Sequence, residues 1–352
     1  MHVCHILFEL RLGGIGAVLQ NYALGMGENS TMTCIIFRMT TDEVVLNRYH
    51  ALLSHPNVTI INLNKRIKKD HFKTLVSLVK IFRKQQFNMV FSHLEETTRY
   101  VWWLTYLTKN KLTQVIHNQV FHDLWLHHLF LRHIMSGYIF VSLSSMNAHH
   151  ALKHTFKTTI HNGIIMTPLL SRQREGFLFV GRMEYQKNPL ECIRLYQHAI
   201  TQVDNPWPLT MIGNGPLLNE LEEYINKHNL SDNVTLIHST TNVDEWYAKS
   251  LCGLITSHYE GTPMILLEGM NQGCPFISYD VGDIKEVMGE NTGIIIPPMQ
   301  TKMFEEAMVR VMKDNTILSY YSKQASLTSA KFTAQSMVNH YERWIIERNN
   351  HE

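Results

Sequence analysis

Two hydrophobic periodicities alternate along the chain. Short apolar runs rich in β-branched residues are separated by longer stretches in which apolar positions recur every three or four residues, as at 217–228 and 302–313. This alternation predicts strand–helix–strand units, and therefore doubly wound parallel sheets in an α/β protein. The candidate strands lie at 3–8, 33–37, 58–61, 88–91, 113–116, 138–142, 177–181, 208–212, 234–237, 253–257, 275–278 and 293–296.

Length and charge divide these strands between two domains. A chain of 352 residues accommodates two domains of ordinary size. Residues 1–165 hold 17 Lys+Arg against 8 Asp+Glu, a net charge of +9, whereas residues 166–352 hold 15 against 22, a net charge of −7. We predict one Rossmann-like domain at 1–165, a second at 166–335, and a final amphipathic helix at 336–352.

The composition excludes several classes of protein. A hydrophobic content of 45% and a charged content of 18% are typical of a globular chain rather than a disordered one. The five cysteines lie mostly inside apolar runs without zinc-site spacing, and indicate reduced core residues. The chain shows neither a signal-peptide pattern nor an apolar stretch of the roughly 18 residues that cross a bilayer. We expect a cytoplasmic protein.

The most informative segment runs from Glu260 to Glu268, two carboxylates separated by seven residues. An apolar run at 253–257 precedes it, and the segment itself predicts a loop that enters a helix, with Thr262 as its cap and Pro263 in its first turn. Exposed amides at a helix N-terminus attract anions. Two acids on either side of such a site suit a nucleotide-sugar, with one acid holding the sugar and the other the ribose.

Cations and glycines follow other predicted strands of the second half. The strand at 177–181 ends on Gly181-Arg182, and Lys187 follows closely, so two positive charges are available to neutralise a diphosphate. Gly213-Asn-Gly-Pro216 follows the next strand, where it forms either an opening near a ligand or a simple tight turn.

In order along the chain, these motifs resemble those of retaining glycosyltransferases with the GT-B fold, especially family 4. The resemblance implies transfer of a sugar from a nucleotide diphosphate sugar to an acceptor hydroxyl (a hexosyltransferase-type activity, EC 2.4), with no metal and no other cofactor required. A UDP-sugar is the favoured donor and a GDP-sugar the alternative. It also implies that the last helix crosses back to the first domain, and that the donor lies between the domains.

The resemblance implies roles for individual residues. Glu260 and, from the first domain, His117 are the expected catalytic residues beside the donor sugar, and Glu268 binds the ribose. Gly213 and His238 are expected near the base, and His93 on the acceptor side. The donor diphosphate is expected on Arg182, Lys187, Gly14, Pro263, Met264 and Ile265.

Parts of the first half match the family pattern less closely. Gly13-Gly14-Ile15-Gly16 follows the first strand, but the family's usual acidic continuation is missing, so only a role for its backbone is expected. The histidines at 122, 127, 128 and 133 have partly helical spacing without an accompanying acid or cysteine, and we expect no metal there.

A basic stretch at 65–84 contains eight Lys and Arg against Asp70 alone. Leu75, Leu78, Val79 and Phe82 form an apolar stripe at helical spacing. Two interpretations stay open: a solvated helix packed on the sheet, or a helix attracted to an anionic membrane surface, which would make the protein peripheral on the inner face of the plasma membrane. Nucleic acid is not expected, because no basic platform interleaved with aromatic residues accompanies the charge.

The expected setting is the assembly of a bacterial surface glycan such as capsule or lipopolysaccharide, with a lipid-linked or growing glycan as the acceptor. Two rival functions remain. A nucleotide-sugar epimerase on the same fold needs different acid–base residues. A non-catalytic homologue that acts as a binding partner is disfavoured because Glu260, Arg182 and Lys187 are all present.

Overall fold

The computed structural model describes residues 1–11, 13–66, 69–108, 110–117, 135–149, 152, 156–240 and 242–350. The chain forms two compact units, one made of residues 1–165 together with 334–352, the other of residues 166–333. The described part of each unit contains one sheet in which every strand is parallel to its neighbours.

The sheet of the first unit has seven strands in the order β3-β2-β1-β4-β5-β6-β7. Its strands are β1 His2–Glu9, β2 Thr31–Arg38, β3 Val58–Asn62, β4 Met89–Ser92, β5 Leu112–Ile116, β6 Gly137–Phe140 and β7 Lys157–Thr159. Its helices up to β7 are α1 Gly14–Gly25, α2 Glu43–Arg48, α3 His50–Leu53, α4 His71–Lys84, α5 Glu95–Val101, α6 Leu104–Leu107 and α7 Leu143–Ala148.

The sheet of the second unit has six strands in the order β10-β9-β8-β11-β12-β13. Its strands are β8 Glu175–Val180, β9 Leu209–Ile212, β10 Val234–Ile237, β11 Ser250–Ile255, β12 Phe276–Tyr279 and β13 Gly293–Ile296. A 3₁₀ turn at Tyr185–Lys187 precedes its helices, which are α8 Pro189–Ile200, α9 Leu218–Lys227, α10 Val243–Lys249, α11 Met264–Asn271, α12 Ile284–Met288, α13 Thr301–Lys313 and α14 Thr316–Ser329.

The last helix, α15 at Ala334–Asn350, is grouped with the first unit. The amide of Ala334 donates to the carbonyl of Ile164 at 2.7 Å, and the indole of Trp344 donates to the hydroxyl of Thr113 on β5 at 3.2 Å. The helix also packs tightly against α1, because a Cβ at Gly25 would lie 2.8 Å from the backbone of Ala334.

Burial explains why the strands appear in the sequence as apolar runs. The central strands β4, β5 and β12 are buried at every residue, as expected for a parallel sheet covered on both faces. The five cysteines are buried and free, in agreement with the prediction. Strand β7 was not predicted, because its Lys-Thr-Thr sequence is only partly buried and contains no apolar residue.

In each sheet the chain adds strands first on one side of the unit's first strand and then on its other side. The change of side lies between β1 and β4 in the first sheet and between β8 and β11 in the second. In doubly wound sheets, ligands bind outside the carboxyl ends of the strands at such switch points. The residues that follow β8 and β11, and those that follow β1, β4 and β5, are therefore the candidates for ligand contact.

Candidate functional site

The loops after β8 and β11 are joined around an ion pair. Nζ of Lys187 lies 2.6 Å from Oε1 of Glu260, and the hydroxyl of Ser257 donates to the same oxygen at 2.6 Å. Glu260 is only 4% exposed, and the charge of Lys187 and the hydrogen bond from Ser257 offset the cost of removing its carboxylate from water. In the described part of the chain, no protein group donates to Oε2 of Glu260, so this oxygen is available to a ligand.

The two loops also bond to each other through their backbones. The amide of His258 donates to the carbonyl of Gln186 at 2.9 Å, and the side-chain amide of Gln186 donates to the carbonyl of Tyr259 at 3.1 Å. The hydroxyl of Thr256 donates to the carbonyl of Asn188 at 3.0 Å. The position of Lys187 relative to Glu260 is therefore determined by the backbone as well as by their charges.

Asn188 explains how the chain passes from Lys187 into α8. It adopts the left-handed conformation, with φ 50° and ψ 53°, and the next residue is Pro189 at the first position of the helix. Asparagine tolerates this conformation and proline suits a helix start. The turn leaves the Lys187 side chain against Gly181, where an added Cβ would lie 3.3 Å from Cγ of the lysine.

Arg182 lies on the same loop but is more exposed. Its guanidinium pairs with Glu184 at 3.0 Å, and 45% of its side chain is accessible. An arginine on a short loop with this exposure can turn towards a ligand at little cost, because an exposed ion pair contributes at most about 1 kcal/mol.

The helix after Glu260 begins one residue later than predicted. Pro263, not Thr262, is the N-cap, and α11 starts at Met264 because the backbone stays extended through Pro263 (φ −72°, ψ 122°) while the Thr262 side chain is buried. Pro263 has no amide proton and cannot donate to a phosphate as expected. Of the three residues predicted around this helix end, only Met264 and Ile265 carry amides, and both precede the first hydrogen bonds within the helix.

Glu268 lies in the second turn of α11 and is half-buried. The neighbouring loop after β12 packs closely on the start of this segment. Gly282 has φ 63°, and a Cβ there would lie 2.5 Å from the carbonyl oxygen of Glu260, so the close approach requires glycine.

Gly213 and His238 differ in their surroundings. Gly213 has φ 154°, and a Cβ there would lie 1.8 Å from the carbonyl oxygen of Gly181, so the loops after β8 and β9 meet through a glycine. His238 follows β10, is 57% exposed, and pairs with Glu222 at 3.3 Å. The two lie at the carboxyl ends of neighbouring strands, as the sequence predicted.

In the first unit, the structure joins the two predicted histidines to a third that was not predicted. Nδ1 of His93 lies 2.9 Å from Nε2 of His117, and Nε2 of His93 lies 2.8 Å from Nδ1 of His5 on β1. Burial lowers the pKa of His117 to about 4 and that of His5 to about 3, and it lowers the pKa of His93 strongly. All three rings are therefore neutral at physiological pH.

The glycine-rich loop after β1 begins a helix as predicted. Gly14 is the first residue of α1 and is exposed, whereas Gly16 is buried against Tyr49, whose ring would lie 2.5 Å from an added Cβ. The Tyr49 hydroxyl donates to the carbonyl of Gly13 at 3.0 Å, which holds the loop in place.

Sequence reasoning missed one residue in the second unit, Ser257, and two in the first, His5 and Tyr49. Ser257 left a weak signal, since it follows a strand three residues before Glu260, and His5 left a stronger one as the polar residue inside the apolar run of β1. Nothing in the sequence connects Tyr49 with Gly13. The predicted histidine cluster at 122–133 lies outside the described residues.

The basic stretch at 65–84 is not uniformly solvated. Lys65 is buried, and its ammonium donates to the carbonyls of Arg66 and Lys69 at 3.2 Å while lying over the rings of Phe8 and Tyr100. Arg66 pairs with Asp70 at 2.8 Å, and position 68 is outside the described residues. Carbonyls and aromatic faces replace water around the charge of Lys65, so this lysine does not belong to the exposed basic surface.

Helix α4 provides the remaining exposed cations. Thr74, Leu78 and Phe82 are buried against the sheet, and Phe72 on the opposite side is 80% exposed. Lys73, Lys80, Arg83 and Lys84 are exposed along the same helix, and Lys69 is exposed just before it. Within the described ranges, every helix is too short or too polar to span a bilayer.

Comparison with known proteins relates the second unit to a family of enzymes. Residues 168–329 match the family described as Glycosyl transferases group 1. The chain is 30% identical over 148 residues, 41% of its length, to an exopolysaccharide phosphotransferase of Streptomyces coelicolor. It is 29% identical over 173 residues, 48% of its length, to an Escherichia coli UDP-Gal:alpha-D-GlcNAc-diphosphoundecaprenol alpha-1,3-galactosyltransferase.

The matched segments cover only 16% and 44% of those two relatives, so the chain spans less than half of the length of each. The fold is similar over nearly the whole chain to the crystal structure of HepE from Anabaena in complex with UDP, with a TM-score of 0.80, 12% sequence identity, and coverage of 99% of this chain and 100% of that one. Residues 168–329 are therefore similar to the glycosyl transferases group 1 family, and the two parallel-sheet units of the chain have the GT-B fold.

Proposed function

We propose that this protein is a glycosyltransferase that moves a sugar from a nucleotide diphosphate sugar to an acceptor hydroxyl. The observation that carries the proposal is the Lys187–Glu260 pair at the switch point of the second sheet, directly before the start of α11. This arrangement offers a cation, an acid and free helix-end amides to one ligand. Such a combination suits a sugar joined to a diphosphate.

Each group has a distinct part in the proposed reaction. Lys187, Arg182 and the amides of Met264 and Ile265 stabilise the negative charge that develops on the departing diphosphate. Glu260 positions the donor sugar through Oε2, because Ser257 and Lys187 already hold Oε1. Glu268 binds ribose hydroxyls, and His117 contacts the sugar. The acceptor oxygen bonds to the anomeric carbon on the same face from which the diphosphate departs, so the configuration is retained. The departing phosphate takes the proton of the acceptor hydroxyl, and no separate base is needed.

The favoured donor is a UDP-sugar, supported by the UDP bound in the HepE crystal structure and by the UDP-galactose donor in the name of the E. coli relative. The favoured acceptor is a lipid-linked or growing surface glycan, supported by the exopolysaccharide and diphosphoundecaprenol in the relatives' names. The exposed phenylalanine and cations of α4 support contact with an anionic membrane, which would place the protein at the cytoplasmic face.

Donor binding can be tested without knowledge of the acceptor. UDP, UDP-glucose, GDP-mannose and ADP-glucose are titrated separately while the melting temperature is followed, since a ligand that binds only the folded state raises it with concentration. We expect UDP and UDP-glucose to raise the melting temperature of the parent protein. Their affinity for Lys187→Met should be at least tenfold lower. Lys313→Met, an exposed lysine at the end of α13, is the matched control. Absence of stabilisation by all four nucleotides would refute the proposal.

The two rival functions give different products. A transferase moves the sugar of its donor slowly to water or rapidly to an acceptor, and releases UDP in both cases. Glu260→Gln should reduce the rate of UDP release at least 100-fold. A non-catalytic homologue would bind UDP compounds without releasing UDP. An epimerase would leave the nucleotide attached and exchange the sugar's C2 hydrogen with deuterium in heavy water.

A further inference from the structure

Three imidazoles form a continuous hydrogen-bonded row at the switch point of the first sheet. His5 lies on β1, His93 follows β4 and His117 follows β5, and these three strands are neighbours in the sheet. The distances between successive ring nitrogens are 2.8 Å and 2.9 Å. The ring of His93 also stacks on both partners, with centroids 5.1 Å apart in each case.

The two ends of the row differ in burial. His5 and His93 are only 1% and 2% exposed, and Nε2 of His5 is buried without a hydrogen-bond partner among the described residues. His117 is partly exposed, and in the described part of the chain its Nδ1 is not engaged by another protein group.

The number of protons restricts what this row can do. Each neutral ring carries one proton, on Nδ1 or on Nε2. Each hydrogen bond between rings needs one protonated and one bare nitrogen. Nδ1 of His5 faces Nε2 of His93, and Nδ1 of His93 faces Nε2 of His117, so both bonds form only when all three rings carry the proton on the same type of nitrogen. A mixed pattern would set two protons or two lone pairs against each other.

We propose that His5 and His93 are positioning residues that hold His117 in a single tautomer and a single ring orientation. The three rings change tautomer together or not at all. His117 then presents Nδ1 to its surroundings in one defined hydrogen-bonding role, which neutral histidine in water would not have. The use of that nitrogen on a sugar hydroxyl rests on the function proposed above, whereas the row of rings does not.

The tautomers can be measured directly in the ligand-free protein. Long-range ¹H–¹⁵N spectra of protein labelled with ¹⁵N-histidine distinguish protonated from bare ring nitrogens, and His→Gln variants assign the three rings. In the parent we expect one shared pattern, either Nδ1–H in all three rings or Nε2–H in all three.

Two substitutions at the central ring test the coupling. His93→Phe keeps an aromatic ring but removes both hydrogen bonds, so His117 should become a mixture of tautomers. His93→Gln should restore a single pattern, since an amide also has one donor end and one acceptor end. His2→Gln, on the same strand as His5 but bonded to Thr33, is the control and should leave the three rings unchanged.

Different tautomers among the three rings of the parent would overturn the inference, and so would a His117 spectrum that is identical in the parent and in His93→Phe. The parent spectrum alone can refute it, so the test survives a failure of His93→Phe to fold. No nucleotide or acceptor is present in the measurement. A negative result for the row of rings is therefore distinguishable from a failure of the proposed transferase activity.

Discussion

Lys187 and Glu260 are 73 residues apart in the sequence, and their charged atoms lie 2.6 Å apart in the fold. Only 16% of the lysine side chain and 5% of the glutamate side chain are accessible. A pair with so little exposure behaves differently from a surface ion pair, because removal of one partner leaves the other charge poorly solvated.

The stability of variants at this pair should therefore be non-additive. We expect Lys187→Met and Glu260→Gln to lower the free energy of unfolding by about 2 kcal/mol each, and the double variant to lose clearly less than the sum. Urea unfolding of the four proteins gives the coupling energy. Strict additivity would mean that the two charges do not interact in solution.

Ser257 should matter more for turnover than for folding. Its hydroxyl donates to Oε1 of Glu260, so Ser257→Ala frees the carboxylate to rotate and costs about 1 kcal/mol of stability. We expect kcat for donor turnover to fall about tenfold while KM changes little. Ser239→Ala, an exposed serine after β10, serves as the control. An unchanged kcat would show that Ser257 does not orient the acid.

Gly213 should not tolerate a side chain. Gly213→Ala would place a methyl group 1.8 Å from the carbonyl oxygen of Gly181, which the backbone can relieve only by separating the loops after β8 and β9. We expect a loss of roughly 3 kcal/mol in thermal or urea unfolding. At Gly27 an added Cβ meets nothing within 4 Å, so Gly27→Ala should be nearly neutral. Equal stabilities for the two variants would contradict the close approach.

The row of three histidines should make the protein sensitive to mild acid. Burial lowers the pKa of His5 to about 3 and of His117 to about 4, whereas unfolded histidine titrates near 6.5, so the unfolded state binds more protons in between. The stability that comes from burying these rings in their neutral form is fully present above about pH 6.5 and decreases as the pH falls towards 4. At pH 5 each of these two rings should lower the free energy of unfolding by about 2 kcal/mol relative to its value at neutral pH.

Urea unfolding between pH 7.5 and 5 measures this effect. Hydrogen bonds and neighbouring cations lower the pKa values of the carboxyl groups of Glu9 and Asp70, and hydrogen bonds from Thr316 lower that of Asp314, so these three groups titrate below this range. In His93→Gln one titrating ring is absent, so the slope of stability against pH should be smaller. A stability that stays constant from pH 7.5 to 5 would show that the rings are not held neutral.

Phe72 should contribute to membrane binding if α4 contacts a bilayer. The ring is 80% exposed at the start of α4, and five exposed cations lie along this helix and just before it, each of which adds roughly 1 kcal/mol near an anionic surface. We expect the protein to sediment with vesicles that contain phosphatidylglycerol. The amount of Phe72→Ser that sediments should be at least fivefold lower.

Leu169 is an exposed apolar residue in the second unit, and Leu169→Ser should leave vesicle binding unchanged. Binding should also weaken at high salt, because the cations are screened. If neither Phe72→Ser nor salt changes sedimentation, α4 is a solvated helix.

Much of the fold follows from local sequence. All twelve predicted strands are present, with ends that differ by three residues at most, because an apolar run covered on both faces is visible within a few positions. Helix α13, predicted at 302–313, is found at Thr301–Lys313 for the same reason. Strand β7 was not predicted, because its three residues have no apolar character. In the described part of the sheet it pairs with β6.

The sequence by itself determined the type and order of the elements, and it indicated which residues end the strands, since periodicity and turn chemistry depend on near neighbours. Tertiary structure alone decided that Ser257 and Lys187 share one oxygen of Glu260, that His5 joins His93 and His117, and that Lys65 is buried. These relations depend on which distant loops meet at a strand end. That meeting is set by strand order and by close backbone approaches such as the one at Gly213, which no local pattern encodes.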